Sequence, residues 1–406
     1  MTQKRVYLDH SATTPLDPEV LAAMMPYLQR VFGNASSLHH YGQEARKAVE
    51  DAREKIASLI NAARPEDILF TGSGTESDNL AIKGLAQANR ARGNHIITSQ
   101  IEHHAVLYTC EYLATRGFEI TYLPVDALGR VNPDDVREAL RPSTILVSIM
   151  HANNETGVIQ PIAGIGALID KENTRRIKAG LGQLYFHVDA VQTAGKIPVD
   201  VEALHADLLT FSAHKFYGPK GVGGLFIRSG TVIEPILHGG HHERNLRAGT
   251  ENVAGIVGMA AALEHAVHNQ EREQAHLRKL RDMLEQGVRA QVPRIKMNGD
   301  PVERLAGIAN ISFEFVEGES LLLSLDLKGI AASTGSACAS GSSEPSHVLK
   351  AMGVEPVMAQ GTLRFSLGHE NTDEDIAYVL KVLPDIVARL REMSPLWREY
   401  SNKITI

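Results

Sequence analysis

The chain has 406 residues, 43% hydrophobic and 22% charged, with a formal net charge of −7. This is ordinary globular composition, long enough for a large core and two domains, and its mild acidity carries no footprint of general nucleic-acid binding. Two cysteines exclude a disulfide framework and point to a reducing, cytoplasmic setting; no apolar signal stretch follows the start MTQKRVYLDH, and no run approaches the ~18 apolar residues that span a bilayer.

Strand-like and helix-like runs then alternate. DILFT (67–71) leads into ESDNLAIKGLAQANRARG (76–93), which has helical spacing and stops at Gly93. HIITS (95–99) precedes AVLYTCEYLATRG (105–117), where Cys110 shares an apolar face with Val106 and Leu113 and is expected in the core. EITYLPV (119–125), PDDVREAL (133–140) and TILVSIM (144–150) follow. DKENTRRIKAGLGQ (170–183) is a polar run, read as a solvated surface excursion. LYFHVDA (184–190), LLTFSA (208–213) and GGLFI (223–227) continue the series. Such alternation predicts an α/β domain with a mainly parallel sheet, whose ligands sit at the carboxyl ends of the strands. Beyond residue 260 a long, charged, amphipathic helix crosses into a second domain. There ANISFEF, IAAS and TLRFSLG are strand-like and DEDIAYVLKVLPDIVARLREM is helical.

The chemistry-bearing residues cluster just after the apolar runs. In TFSAHKFYGPKGVGGL (210–225), Ser212, His214 and Lys215 follow a strand and precede a glycine-rich run. A lone lysine there is usually a solvated charge, but one that sheds its proton in a partly buried site can bond to an aldehyde cofactor. LFTGSGTESDNLA (69–81) is a strand, a small-residue turn and a helix start, which suits a phosphate. It is neither a Walker loop nor a dinucleotide fingerprint. Asp189 closes an apolar strand, either as a helix cap or as partner to a buried cation, and Gln192 follows it. His103 and His104 follow HIITS, as a cap cluster or as a ring-stacking proton shuttle. Asn153 and Asn154 end another strand, to form a turn or to meet a ring. A lysine, an acid, a histidine and a phosphate loop together are the kit for pyridoxal phosphate, an electron sink for carbanions.

YLDHSATTPLDP, GTESDNLAIKG, EHHAV, NNETG, HVDAVQ, SAHKFYGPKG, RAGTENV and GSACASG, in this order, resemble the cysteine desulfurases of the bacterial housekeeping and nitrogen-fixation type. The resemblance runs from about residue 6 to MSPLW (393–397). It implies the fold-type I aminotransferase architecture, with a mainly parallel seven-stranded sheet in a large domain at 16–264. A smaller α+β domain is formed by 1–15 and 265–406. It implies a homodimer that takes sulfur from L-cysteine as a persulfide on Cys338. It further implies that Lys215 bonds to the cofactor and that His103, rather than His104, stacks on the ring. Asp189 pairs the pyridine nitrogen, Gln192 the phenolic oxygen, and Asn154 faces the ring. Gly74, Thr75, Ser212 and His214 hold the phosphate, and Thr250 reaches that of the other subunit. Asn34 and Arg364 clamp the substrate carboxylate, which suits a planar guanidinium fork.

The glycines and serines of TGSACASGSS (334–343) would make a tether for Cys338 between two places. The run near 172–183 looks like an insertion of about ten residues relative to such enzymes. The tail after SPLW is nine residues, shorter than in relatives whose tail helps bind an iron–sulfur scaffold protein, which leaves the sulfur acceptor open between such a scaffold and a tRNA-thiolation relay. His238, His241, His242 and Glu243 fall close in sequence, but zinc needs converging ligands, and no metal is expected. Two other readings stay open. One is a selenocysteine lyase or other enzyme of the same fold with Cys338 incidental; the other is a non-catalytic sulfur-assembly scaffold.

Overall fold

Seven short runs pair into one sheet, ordered across it as Ile68–Thr71, Gly223–Ile227, Leu208–Ser212, Tyr185–Asp189, Thr144–Met150, His95–Ser99 and Glu119–Leu123, and all but the last, an edge strand, are buried along their whole length. The computed structural model describes residues 4–334 and 345–404, with side chains through Ser401. In chain order the first elements are β1 (Val6–Tyr7), α1 (Pro18–Gln29), α2 (His40–Leu59), β2 (Ile68–Thr71), α3 (Gly74–Asn79), a π turn (Leu80–Gly84) and α4 (Leu85–Asn89). Next come β3 (His95–Ser99), α5 (His104–Ala114), β4 (Glu119–Leu123), α6 (Pro133–Ala139), β5 (Thr144–Met150), α7 (Ile162–Lys178), β6 (Tyr185–Asp189), β7 (Leu208–Ser212) and β8 (Gly223–Ile227). The C-terminal part holds α8 (Val253–Gln291), β9 (Ile295–Asn298), β10 (Ile308–Phe313), α9 (Gly318–Asp326), β11 (Ile330–Ala331), α10 (His347–Ala351), α11 (Pro356–Gln360), β12 (Thr362–Ser366), α12 (Asp373–Met393) and α13 (Pro395–Ile404).

All strands of the large sheet run parallel except β8, which pairs antiparallel with β2 and β7. The cause is the connection: a parallel return needs a crossover of a dozen or more residues, and only 213–222 separate β7 from β8. The crossovers from β2 to β6 carry helices and the one from β6 to β7 is a run of turns over 190–207, so the carboxyl ends of β2, β3, β5, β6 and β7 share one edge. The helix read at 76–93 starts two residues earlier, at Gly74, and is interrupted by the π turn. At Gly84 in that turn a Cβ would lie 2.4 Å from the Glu234 carbonyl oxygen, so the close approach requires glycine.

A second, antiparallel sheet has the order β12-β10-β9, and β1 pairs in parallel with β11. Each sheet has its own apolar core. One runs from Val20 and Ile56 through Phe186 and Phe211; the other gathers Val6, Leu8, Leu280, Phe313, Phe365 and Leu383. Helix α8 serves both. Its buried residues fall in two groups, Ala254 to Ala266 and Leu277 to Val288. Among the described residues no helix is long and apolar enough to cross a membrane.

The reading of 170–183 as a solvated surface run holds for every residue but one. Helix α7 continues to Lys178, and Arg176 on its last turn is 1% exposed. Its guanidinium donates to the carbonyls of Arg141, Pro142, Thr144 and Gly182 at 2.7–3.2 Å. It therefore pins the start of β5 and the turn before β6. Arg176→Ala leaves those carbonyls without their donor and is expected to destabilise the fold by about 2–4 kcal/mol, read from urea unfolding. A midpoint within error of wild type would contradict this.

Candidate active site

A cavity of about 430 Å³ opens at the carboxyl edge of the large sheet. It gathers Gly74 and Thr75 after β2, His103 after β3, Asn154 after β5, Asp189 and Gln192 around the end of β6, and Ser212, His214 and Lys215 at and after β7. Arg364 reaches it from β12 of the second sheet, so both sheets build the site. Asn34 and Thr250 are exposed, do not line the cavity, and Asn34 Oδ1 accepts the Ser36 amide at 2.9 Å. Cys338 lies outside the described residues.

Lys215 closes a 3₁₀ turn directly after β7. Its Nζ donates to the carbonyls of Ser11 at 2.6 Å and Ala12 at 2.8 Å. Thr14 Oγ1 donates to the His214 carbonyl and accepts from the Tyr217 amide, so residues 11–14 clasp the lysine turn. Tyr217 leaves the turn with φ of 64°, a left-handed backbone held by that clasp.

Asp189 is buried, and its Oδ1 accepts the Val191 amide at 2.9 Å. Burial raises its pKa, opposed by that hydrogen bond and by Lys215. Asp78 on α3 lines the same cavity, and burial, then Asp189, raise it too. Its Oδ1 has no hydrogen-bond partner. Two neighbouring buried carboxyls lining one cavity favour a cation beside them. Ser212 Oγ is likewise buried without a hydrogen-bond partner. It lies beside the first turn of α3, where a Cβ on Gly74 would come within 2.8 Å of Val191 Cγ2 and 3.3 Å of Ser212 Cβ. An unused hydroxyl next to the first amides of a helix suits an anion.

His103 both caps α5 and faces the cavity. Its Nδ1 accepts the Ala105 amide at 3.1 Å, which puts the proton of the neutral ring on Nε2. Burial, then the charges of Lys215, His104 and His347, pull it down to about 4, so the ring is neutral at pH 7. Glu102, just before it, accepts from Ser99 Oγ and the Met150 amide, and burial pushes it up to about 8. His104 instead stacks on Tyr108 at 4.8 Å.

The two asparagines separate cleanly. Asn153 is structural: Nδ2 donates to the Ile101 carbonyl and Oδ1 accepts the amides of Glu155 and Thr156. Asn154 lines the cavity, and its carbonyl accepts Arg364 Nη1 at 2.9 Å. Arg364 Nη2 donates to Asp9 Oδ1 at 2.7 Å, while its Nε is buried without a hydrogen-bond partner. Glu243, grouped in sequence with histidines, pairs Arg53 at 2.7 Å. Among the described residues no group of three or more His, Cys, Asp or Glu side chains could hold a metal ion.

Sequence reasoning missed Asp78 and the Ser11–Ala12 carbonyls. Asp78 stood inside a quoted motif, but an acid in a first helical turn reads as an exposed dipole partner. Backbone carbonyls carry no residue signature at all.

The donor set fits pyridoxal phosphate: an amine, a buried acid, an unpartnered serine at a helix start, and a neutral imidazole. Comparison with known proteins agrees. The model of the family described as aminotransferase class-V matches residues 6–379. A protein named cysteine desulfurase IscS from Dictyoglomus turgidum is 53% identical over 398 residues, covering 98% of each chain. One of the same name from Methanosarcina thermophila is 55% identical, over 97% of this chain and 94% of the relative. The solved structure of a NifS-like protein superposes with a TM-score of 0.88 at 41% identity, over 95% of this chain and 100% of that one. With the lysine, the acid and the serine converging at the edge of a sheet of this topology, the chain belongs to the class-V aminotransferases and, within them, to the cysteine desulfurases.

Proposed function

We propose that this enzyme removes sulfur from L-cysteine through the residues gathered in the cavity, leaving alanine and a persulfide on Cys338. The observation that carries the residue assignment is the convergence of Lys215, Asp189 and Ser212 on one enclosed space. Pyridoxal phosphate is the cofactor; when bound it supplies an aldehyde and a ring that takes up the electron pair left as the substrate Cα–H bond breaks. Gly74, Thr75, Ser212 and His214 hold its phosphate. Asp189 keeps a proton at the ring nitrogen, Gln192 donates to the phenolic oxygen, and Asn154 and His103 face the ring.

Lys215, once released as a free amine, takes the Cα proton. His103 exchanges protons at Nε2, since Nδ1 is engaged by the Ala105 amide. The thiolate of Cys338 attacks the substrate sulfur: the S–S bond forms as the Cβ–S bond breaks, and the carbon skeleton leaves protonated as alanine. The domains divide at 1–15 with 265–406 against 16–264, so the clasp of Lys215 by residues 11–14 joins them. Two copies pair so that Thr250 of each reaches the other's phosphate site. The acceptor is an iron–sulfur scaffold or a tRNA-thiolation relay in the cytoplasm.

The test is incubation of the purified enzyme with L-cysteine, scoring alanine and the persulfide together by mass spectrometry. Equal amounts in the first turnover are expected. Alanine without persulfide on Cys338 would overturn the assignment. Arg364 and Asn34 are assigned to the substrate carboxylate. Arg364 already shares its fork with Asp9 and the Asn154 carbonyl, so Lys, a point donor, cannot reproduce the arrangement. Arg364→Lys is expected to raise KM for cysteine by about 10–100-fold, the loss of one charge-assisted hydrogen bond. An unchanged KM would remove Arg364 from the substrate site.

A further inference from the structure

Gln192 is oriented by its neighbours. Its Oε1 accepts a hydrogen bond from Lys196 Nζ at 2.9 Å, and its Nε2 donates to the Ser11 carbonyl at 3.0 Å. The two ends cannot be exchanged, because an ammonium only donates and a carbonyl only accepts. The partners therefore decide which end of the amide is nitrogen, an assignment that shape alone leaves open. Nε2 carries a second hydrogen, and Gln192 lines the cofactor cavity. Lys215 donates to the same Ser11 carbonyl at 2.6 Å. Lys196 and Lys215 also share a smaller cavity of about 40 Å³.

A second lysine here is an expensive choice. Burial, then the Lys215 and Arg364 charges, pull Lys196 down to about 7. A side chain selected only to fill space needs no nitrogen at that point. Whether ammonium or amine, its nitrogen donates to Oε1.

We propose that Lys196 is a positioning residue of the cofactor site, which locks the Gln192 amide with its NH₂ toward the phenolic oxygen and adds positive charge beside Lys215. This rests on the reading that Gln192 and Lys215 meet pyridoxal phosphate. A donor at that oxygen and a nearby cation both favour loss of the proton from the Lys215 nitrogen in the holoenzyme. Removing Lys196 removes both effects, with the same sign.

The experiment uses holoenzyme of wild type, Lys196→Met, Lys196→Gln and Lys196→Arg. It reads the pH midpoint of the visible absorption band and the rate of cofactor release into buffer, with the thermal midpoint as a fold control. The Met variant is expected to titrate about one pH unit higher and to release cofactor about 10-fold faster. Gln, a donor without charge, is expected between Met and wild type, and Arg close to wild type. The other titratable groups that feel or surround Lys196, His10, His214, Tyr217, Glu273 and Arg364, are common to all four proteins and cancel in the comparison. If the Met variant does not fold, the Gln variant carries the comparison. A visible band with an unchanged midpoint in the Met or Gln variant overturns the proposal alone. An Arg variant that behaves like Met reduces Lys196 to packing. A wild-type protein with no visible band sinks both this proposal and the cofactor reading beneath it.

Discussion

Lys215→Ala is expected to lower turnover of L-cysteine by about 10⁴-fold or more, because one side chain serves as both covalent anchor and proton acceptor. It should also lose the peptide that borohydride fixes to the cofactor in wild type. The fold should survive. Lys215 donates to the Ser11 and Ala12 carbonyls, and Ser11 keeps its bond from Gln192. One partly buried carbonyl thus loses its donor, which costs about 1–3 kcal/mol. Lys215→Arg separates charge from nucleophilicity, since a guanidinium keeps its proton. It is expected to be as inactive as the alanine variant. Substantial turnover in either variant would remove Lys215 from the reaction.

Cys338→Ala is expected to abolish the protein-bound persulfide and to bring alanine formation to about 1% of wild type or less, because the substrate sulfur then has no thiolate to leave to. The chain supplies its own control, since it holds only two cysteines. Cys110 is buried on α5, and burial pushes its thiol up to about 12. At pH 7 its thiolate is then a fraction of about 10⁻⁵, too little to attack. Cys110→Ala should keep full persulfide formation and lose only about 1 kcal/mol of stability from the core. Persulfide on Cys110 in the Cys338 variant, or alanine turnover undiminished, would reverse the roles of the two thiols. Both measurements are independent of the structure around Cys338, which lies outside the described residues.

Much of the site was legible in the sequence because its residues follow strands. Lys215, Asp189 and Ser212 stand at the ends of apolar runs whose type and bounds are unmistakable. Strands β3 and β5 and helix α12 fall on the residues read for them. Such runs are decided locally, by periodicity and caps such as the Thr372–Asp375 capping box. What escaped depends on partners distant in sequence. Arg176 reads as one more charge in a polar run, and only the carbonyls of Arg141, Pro142, Thr144 and Gly182 make it a buried anchor. Lys196 is a different case: its partner Gln192 is only four residues away, but a polar turn carries no periodicity that would pair the two. The direction of β8 was also hidden, since an all-apolar run carries no sign of its orientation.

Helix α8 has 39 residues and is therefore about 58 Å long. Its two buried stretches belong to different cores, and from Val267 to Gln274 it is not buried in either. The chain therefore cannot be divided into two self-sufficient fragments at that helix. A cut near residue 270 would give an N-terminal piece ending in a frayed half-helix. The C-terminal piece would keep Leu277, Leu280 and Leu284 against Phe313, Phe365 and Leu383 but would lose Val6, Leu8 and β1, the strand that pairs with β11. The halves would regain native structure only by association, with the continuous rod replaced by a noncovalent joint. Function should then be recovered by mixing the two pieces, not by either alone.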